Sequence, residues 1–309
     1  MIKPKALKPG DTIGIIAPSS PSTEEKVTKA KIYLEAKGFK VVLGKSCSSN
    51  YGYLSGTNEI RAQDINIMFS DNNIQGIICL RGGYGATKLL HMVDYDMIRN
   101  NPKVFVGYSD ITALHIAINK HSKLVTFHGP MAASDMADDF DDFSMNSLFS
   151  TICTPEPLGI FKNPPNQKIE CLVSGTASGE IIGGNLTLIC STLGTPYEIE
   201  TTNKILFLEE IGEEPYRIDR MMTQLLSSGK LKSVKGIILG DFNNCKAESP
   251  EKSLTLMQVF KDILFPLHKP VLYELKAGHC SPMVTIPFGI KAYIEAHRYT
   301  LFFNEGAVI

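Results

Sequence analysis

The chain has 309 residues, and its 31 Lys and Arg residues against 32 Asp and Glu residues give a formal net charge of −1. This length fits one large domain or two ordinary ones, and we expect two. The balanced charge excludes the basic surface of a nucleic-acid-binding protein, so no nucleic-acid partner is expected. No stretch approaches the length of a membrane span and no export signal is recognisable, so we expect an unexported chain without a membrane partner.

The seven cysteines are scattered along the chain, and none is spaced as C-x-x-C. Cys79 and Cys190 lie within apolar runs, which favours buried free thiols in a reducing compartment. No dense group of His, Cys and carboxylate residues occurs. The sequence therefore predicts no metal site and gives no sign of a bound cofactor.

In the first half, short apolar runs alternate with amphipathic segments. The runs are, in order, TIGIIAP, KVVLGKS, IQGIICL, KVFVGYS and LVTFHGP. Continuous apolar runs of this kind are typical of parallel strands that helices cover on both faces, so we expect an α/β fold with a doubly wound, mostly parallel sheet. Ser22 and Glu25 have the S-x-x-E spacing, which predicts a capping box at the start of the first helix.

The alternation is lost between about residues 138 and 178, where acidic residues, Pro and Gly crowd together. This composition is typical of a connection between domains, and we place the boundary near residue 165. The sequence therefore predicts a Rossmann-like domain over residues 1–165 and a C-terminal α/β domain with a mixed sheet over residues 166–309. In the second domain PYRIDRMMTQLLSSG predicts a helix, and the alternating tail from MVTIPFG onward predicts antiparallel strands.

Ser109, in the segment VFVGYSDITALH, lies between a predicted strand and a predicted helix. Ligands of open parallel sheets bind at the carboxyl ends of the strands, and a helix that starts at Asp110 would direct free N–H groups to the same place. Such groups could stabilise an oxyanion. An ordinary helix N-cap is the alternative, because serine is among the preferred N-cap residues. The nucleophile motif G-x-S-x-G is incomplete, since no glycine stands two residues after Ser109.

The segment RGGYGA follows the third predicted strand and contains Gly82, Gly83 and Gly85. Glycines allow positive φ and close backbone approach, so this loop is suited to donating N–H groups to an anion. It lacks the spacing of a dinucleotide-binding loop and the lysine of a P-loop. Arg81 could bind a carboxylate through two hydrogen bonds, or it could be an ordinary surface residue in a salt bridge.

An acid and a base for Ser109 are available further along the chain. Glu209 and Glu210 follow the apolar run ILFL, and Glu209 is the acid most expected to point from the strand end into a cleft. The alternative is a charged strand end before a helix N-terminus. His279 follows a glycine in ELKAGHCSP, while His128 ends a predicted strand and is its main rival as a base. A serine nucleophile needs an imidazole that a carboxylate orients.

A series of motifs in this chain resembles the bacterial LD-carboxypeptidases over nearly the full length. The motifs are RGGYGA, GYSDITALH, TFHGPM, GGNLTLICSTLGTP, LFLEEIGEEPYRIDRM and GIILGDF. The resemblance implies a serine peptidase with a Ser-Glu-His triad. It assigns the nucleophile to Ser109, the carboxylate to Glu209 and the base to His279. The chain departs from the pattern at Glu210, where aspartate is commoner.

The resemblance also implies an oxyanion hole formed by backbone N–H groups of Asp110 and of the glycine loop, where we select Gly83. For substrate binding we select Arg81, Gly82 and Tyr84. The implied reaction is hydrolysis of the bond before the terminal D-Ala of tetrapeptides from recycled cell-wall fragments, in the cytoplasm and by a homodimer without a cofactor. The alternatives are an immunity carboxypeptidase that cleaves a peptide–nucleotide antibiotic such as microcin C, and a non-catalytic two-domain binding protein.

Overall fold

The computed structural model describes residues 1–309 as two β-sheets with helices packed against them. The strands are β1 (Thr12–Ile16), β2 (Lys40–Leu43), β3 (Gly76–Cys79), β4 (Val104–Gly107), β5 (Thr126–His128), β6 (Gly159–Phe161), β7 (Glu170–Val173), β8 (Thr176–Asn185), β9 (Ile205–Ile211), β10 (Gly236–Asn243), β11 (Val271–Tyr273), β12 (Ile286–Phe288), β13 (Lys291–Glu295) and β14 (Thr300–Phe303). The α-helices are α1 (Glu24–Ala36), α2 (Asn58–Ser70), α3 (Tyr95–Asn100), α4 (Thr112–Ala117), α5 (Asp142–Cys153), α6 (Leu186–Ser191), α7 (Pro215–Ser227), α8 (Lys230–Ser233) and α9 (Leu256–Leu264).

The first sheet has the strand order β12-β5-β4-β3-β1-β2, and its strands β1 to β5 are all parallel. The chain adds β2 on one side of β1 and then crosses to place β3 on the other side. Where the strand order reverses in this way, the connections after β1 and β3 leave in opposite directions, and a crevice opens at the carboxyl ends of the strands. Every residue of β3 and β4 is buried, which explains their continuous apolar sequences.

The second sheet has eight strands in the order β6-β14-β13-β8-β9-β10-β11-β7. Its central strands β8 to β11 are parallel, and antiparallel strands flank them on both sides. One mostly parallel sheet and one mixed sheet with helices confirm the predicted fold class. The tail forms antiparallel strands as expected, but β12 leaves the second sheet and pairs with β5 of the first.

One hydrophobic core joins the two sheets. Phe127, Phe207 and Phe288 come from strands β5, β9 and β12, are fully inaccessible to solvent and belong to the same core cluster. The rings of Phe207 and Phe288 lie 6.1 Å apart between centroids. Because burying each such side chain contributes about 1.5–3 kcal/mol, this shared core fixes the position of β9 relative to the first sheet.

One local prediction is wrong. Helix α1 has Thr23 as its N-cap, whose hydroxyl accepts a hydrogen bond from the Lys26 N–H, so the predicted Ser22–Glu25 capping box does not form. The segment 138–178 holds α5, β6, β7 and the start of β8 as well as connecting loops. Its acidic cluster serves partly as a helix start, since Asp141 accepts hydrogen bonds from the Ser144 N–H and hydroxyl. The division near residue 165 stays a prediction.

All seven cysteines are free thiols, in agreement with their scattered spacing. None of the helices combines the length and the apolar character that a membrane crossing requires.

Candidate active site

Ser109 has φ +64°, a left-handed backbone conformation that is unfavourable for a residue with a side chain. Such a conformation costs about 1–3 kcal/mol and is found where the surrounding structure imposes it. The residue begins a 3₁₀ turn (Ser109–Ile111) that leads from β4 into α4. Its hydroxyl contacts a histidine and caps no helix, so the N-cap interpretation is wrong.

The structure brings Ser109, His279 and Glu209 together from both sheets. The Nε2 atom of His279 lies 3.0 Å from the Ser109 Oγ, and its Nδ1 lies 2.7 Å from the Glu209 Oε2. The same carboxylate oxygen accepts a hydrogen bond of 3.2 Å from the His279 backbone N–H. Because a carboxylate can only accept, Nδ1 carries the proton of the neutral imidazole, and Nε2 is left to accept the proton of the serine.

The surroundings of His279 favour its protonated form. Burial opposes protonation, but the hydrogen bond and charge of Glu209, together with the charges of Glu210 and Asp135, raise the pKa of His279 above its ordinary value. The Tyr108 ring packs edge-on against the imidazole at 5.1 Å, and its hydroxyl donates a hydrogen bond to Asp135. The imidazole is thus held in one orientation, and a positive charge that develops on it is stabilised.

The loop that carries His279 is fixed by close contacts. Gly278 has φ +107°, and a Cβ atom there would lie 2.5 Å from the Glu209 Oε2, so only glycine allows the carboxylate to approach. The side-chain amide of Asn243 donates a hydrogen bond of 2.6 Å to the His279 carbonyl. Sequence reasoning missed Asn243, because nothing in GDFNN distinguishes this amide from an ordinary loop residue.

The glycine loop lies against the serine. A Cβ atom on Gly82 would be 2.7 Å from the Ser109 Cβ and 2.8 Å from its Oγ. Gly83 has φ +117°, and its backbone N–H makes no hydrogen bond within the protein. Asp110 lies in the first turn after β4, where N–H groups lack a partner inside the helix. These two N–H groups can therefore act as donors to a bound oxyanion.

Arg81 and Tyr84 are exposed at the mouth of this region. Arg81 donates a hydrogen bond of 3.3 Å to the Pro21 carbonyl and takes part in no salt bridge, so the salt-bridge interpretation is wrong. With Lys26, it lines a cavity of about 570 Å³. Tyr84 is 48% exposed and lies 5.7 Å from the ring of Tyr53. Both side chains are free to meet a ligand, but neither contacts the Ser109 hydroxyl.

His128 is excluded as the base. It is inaccessible to solvent, and neither ring nitrogen has a hydrogen-bond partner. Burial lowers its pKa well below the ordinary value, which keeps the imidazole neutral. Its ring packs against Tyr108, Phe207 and Phe288. The residue is part of the core between the sheets and does not reach Ser109.

Glu210 belongs to a buried network at the junction of the sheets. Its carboxylate accepts hydrogen bonds of 2.7 Å from the Asn185 side chain and 2.8 Å from the Thr187 N–H. The Asn185 N–H in turn donates to the Thr112 hydroxyl, on the helix that follows Ser109. Successive side chains of a strand point to opposite faces of the sheet, so the two adjacent glutamates of β9 have different partners. Glu209 contacts His279, and Glu210 contacts this network.

Glu210→Gln is expected to destabilise the fold while retaining most of the activity. A glutamine cannot accept all the hydrogen bonds that Glu210 accepts, and a donor of Asn185 or Thr187 loses its partner. The free energy of unfolding should fall by about 1–3 kcal/mol, measured by urea denaturation. A loss of turnover as large as that from a change at Glu209 would contradict this assignment.

Two family models match the chain, one for the LD-carboxypeptidase N-terminal domain over residues 13–129 and one for the LD-carboxypeptidase C-terminal domain over residues 178–294. Together they cover most of its length. The chain belongs to the LD-carboxypeptidase family. The first model contains Ser109 and the glycine loop, and the second contains Glu209 and His279, so the family as a whole matches the region that builds the site.

Similar proteins include two named for cell-wall peptides. A protein of Bacillus subtilis (strain 168) named "Probable murein peptide carboxypeptidase" is 43% identical over 98% of this chain and 95% of its own length. The crystal structure of a muramoyltetrapeptide carboxypeptidase from Oxalobacter formigenes is 30% identical over 96% of this chain and 98% of its own, with a TM-score of 0.84.

A third relative is not named for cell-wall peptides. The microcin C7 self-immunity protein MccF of Escherichia coli is 31% identical over 96% of this chain and 94% of its own length. A structure of MccF in complex with glutamyl sulfamoyl guanosine has a TM-score of 0.93 at 27% identity and covers 100% of both chains. Similar proteins are thus named either for cell-wall peptides or for self-immunity to microcin C7.

Proposed function

We propose that this LD-carboxypeptidase releases the terminal D-Ala of muropeptide tetrapeptides, with Ser109 as nucleophile, His279 as general base and Glu209 as the carboxylate that orients it. The observation that carries the proposal is the continuous hydrogen-bonded series from the Ser109 Oγ through the imidazole to the buried Glu209. The 43% identical relative is named for murein peptides, which supports this substrate class over others.

The proposed reaction has two steps. His279 takes the proton from Ser109 as the Oγ attacks the scissile carbonyl carbon, and the N–H groups of Gly83 and Asp110 stabilise the oxyanion. The C–N bond then breaks as the imidazolium gives its proton to the amine of the leaving D-Ala. Water, deprotonated by His279, attacks the acyl-enzyme, the bond to the Ser109 Oγ breaks, and the imidazolium returns its proton to that oxygen as the shortened peptide is released. Glu209 stabilises the imidazolium in both steps without taking its proton.

Recognition of the substrate is assigned to Arg81, Gly82 and Tyr84. A carboxypeptidase must bind a free carboxylate, and Arg81 has a guanidinium that is exposed and outside any salt bridge. The backbone of Gly82 passes next to the nucleophile, so a peptide bound there would approach the Oγ closely. Tyr84 offers an exposed ring at the edge of the same loop.

The purified protein is expected to release D-Ala from a tetrapeptide that ends in D-Ala and to leave the matched all-L peptide intact. The reason is that a site built around one position for the carbonyl and one for the carboxylate distinguishes the configuration of the terminal residue. Mass spectrometry of both incubations measures this selectivity. Equal cleavage of the two peptides, or cleavage of neither, would contradict the proposal.

The close structural likeness to MccF supports a second candidate, cleavage of a peptide–nucleotide conjugate by the same triad. Aspartyl sulfamoyl adenosine, which a structure of MccF contains, is the probe that separates the candidates. A kcat/KM for this compound above that for the tetrapeptide would favour the second candidate. A non-catalytic binding protein would bind either compound unchanged and would not react with a serine-directed fluorophosphonate.

We further propose that the enzyme acts in the cytoplasm as a homodimer, as its resemblance to the family implied. Seven free thiols support a reducing compartment. Sedimentation equilibrium should give twice the mass of the 34.0 kDa chain, and the mass of a single chain would contradict the dimer.

A further inference from the structure

Arg61, on the first turn of α2, is completely inaccessible to solvent. Its guanidinium donates hydrogen bonds to the carbonyls of Pro18, Gly56 and Gly85 and to the Asn58 side-chain oxygen. The distances to Gly85 and Asn58 are 2.9 and 2.6 Å. All of these acceptors are neutral oxygens. Because burial of a charge without full hydrogen bonding is very costly, this arrangement fixes both the guanidinium and the backbone around it.

The carbonyls that Arg61 binds belong to three separate segments. Pro18 lies just after β1, Gly56 lies in the turn before α2, and Gly85 lies in the glycine loop after β3. Backbone hydrogen bonds also join these segments. One of them runs from the Ser20 N–H to the Gly82 carbonyl at 3.4 Å. One side chain therefore ties the glycine loop to both segments that flank it.

The peptide group between Gly85 and Ala86 is held at both of its polar atoms. Its oxygen accepts from Arg61, and its N–H donates a hydrogen bond of 2.8 Å to the Asp110 carboxylate. That carboxylate also accepts a hydrogen bond of 2.5 Å from the Ser19 hydroxyl. Asp110 is the neighbour of Ser109, so the nucleophile and the end of the glycine loop are connected through one side chain.

The loop has no room to shift on the side of the guanidinium. A Cβ atom on Gly85 would lie 2.8 Å from the Arg61 Nη1 and 2.6 Å from the Leu54 Cδ2. Gly83, the donor that we assign to the oxyanion hole, is two residues before this point. A donor acts in catalysis only where its N–H lies about 2.7–3.1 Å from the oxyanion, so small displacements of the loop weaken it.

We propose that Arg61 is a positioning residue for the oxyanion hole, which fixes the glycine loop, and with it the Gly83 N–H, at the distance from Ser109 that the transition state needs. The inference rests on the proposed function, since it assumes the oxyanion hole assigned there. Arg61 touches no substrate and acts only through the backbone of residues 82–86.

The test compares Arg61→Lys and Arg61→Ala with Lys103→Met. Lys103 is a matched control, because it is also a buried cation that donates to backbone carbonyls, those of Met68 and Asp71, but it precedes β4, at the end of the strand opposite to Ser109. Both Arg61 variants should lose about 10²-fold to 10³-fold in kcat, as does removal of one oxyanion donor. KM should rise by a smaller factor, because the same loop carries Gly82 and Tyr84, which we assign to substrate binding. Lys103→Met should lose stability but keep its kcat per folded molecule.

Two further readouts separate positioning from a merely structural role. The affinity for a peptidyl boronate, whose tetrahedral adduct places an oxygen in the hole, should fall in parallel with kcat/KM, while the affinity for the tripeptide product falls by a much smaller factor. Guanidinium ion at low millimolar concentration should restore part of the kcat of Arg61→Ala but none of that of Ser109→Ala.

Unchanged kcat in folded Arg61→Lys, or an equal loss of affinity for boronate and product, would overturn the inference. If the Arg61 variants do not fold, Gly85→Ala provides the second test, because its Cβ displaces the loop from the guanidinium. It should show the same loss in kcat with a smaller change in KM, and wild-type kcat would overturn the inference. Full activity of Ser109→Ala would instead refute the proposed function, so the two failures are distinguishable.

Discussion

Ser109→Ala is expected to lower kcat/KM toward the D-Ala tetrapeptide by about 10⁴-fold to 10⁶-fold, with the fold intact. The substitution removes only the hydroxyl group, whose one hydrogen bond is the contact with the His279 Nε2. No other nucleophile is in place, because the carboxylate of Glu209 is bound to His279 and lies on the far side of the imidazole from the serine. Progress curves at high enzyme concentration, analysed by mass spectrometry, measure the residual rate.

Ser150→Ala is the matched control for this change. Ser150 lies on α5, and its hydroxyl donates only to the Ser147 carbonyl within the same helix. This variant should keep wild-type kcat/KM and should react with a fluorophosphonate as the wild type does. Fluorophosphonate labelling should be absent from Ser109→Ala alone. Labelled or active Ser109→Ala protein would rule out Ser109 as the nucleophile.

Glu209→Gln is expected to lower kcat by about 10³-fold to 10⁴-fold, although the side chain keeps its size. A glutamine carries no charge to stabilise the imidazolium, and its amide can donate to Nδ1, which would move the imidazole proton to Nε2. In that tautomer the imidazole cannot accept the proton of Ser109. In the wild type, the Oε2 of Glu209 accepts hydrogen bonds from both the Nδ1 and the backbone N–H of His279. The substitution therefore disturbs the orientation of the imidazole as well as removing the charge.

The pH profile gives this prediction a second readout. The base that we propose, His279, can accept a proton only when neutral, so kcat/KM should fall as the pH falls through its pKa. In the wild type that pKa lies above the ordinary value, with burial opposing and Glu209 as the leading favourable contribution. The acid limb of kcat/KM should therefore move to lower pH in Glu209→Gln.

Glu213→Gln is the matched control, since Glu213 is a half-buried carboxylate on the same segment that faces Arg217 at 3.6 Å and not the imidazole. Its acid limb and its kcat should equal those of the wild type. An acid limb that does not move in Glu209→Gln would show that another group limits the reaction at low pH, and would contradict the assignment of His279 as the base.

Strands and the fold class could be predicted well from local pattern. The buried runs of β1, β3, β4, β9 and β10 are long enough and apolar enough to be recognised without tertiary information. The exposed strands β6 and β7 gave no such signal, because edge strands bury too little to need a continuous apolar sequence. The start of α1 was missed because Ser22 and Thr23 are both good N-cap residues, and only the backbone decides between them.

Local sequence made Ser109, Glu209 and His279 candidate site residues but left an alternative interpretation open for each. The resemblance to the LD-carboxypeptidases selected them. Contacts such as that of Asn243 with His279, or of Tyr108 with the imidazole, had no signal in the sequence. They depend on which strand ends lie side by side, and spacing along the chain does not encode that when the partners are tens of residues apart.

The sequence by itself determined the fold class, the buried strands, the turn that carries Ser109 and the glycines that a close approach requires. Only the tertiary structure decided that His279 and not His128 meets the hydroxyl, and that Glu209 and Glu210 face different partners. The physical reason is that hydrophobic periodicity is a local property, whereas the approach of an imidazole to a hydroxyl from a residue 170 positions away depends on how the two sheets share one core.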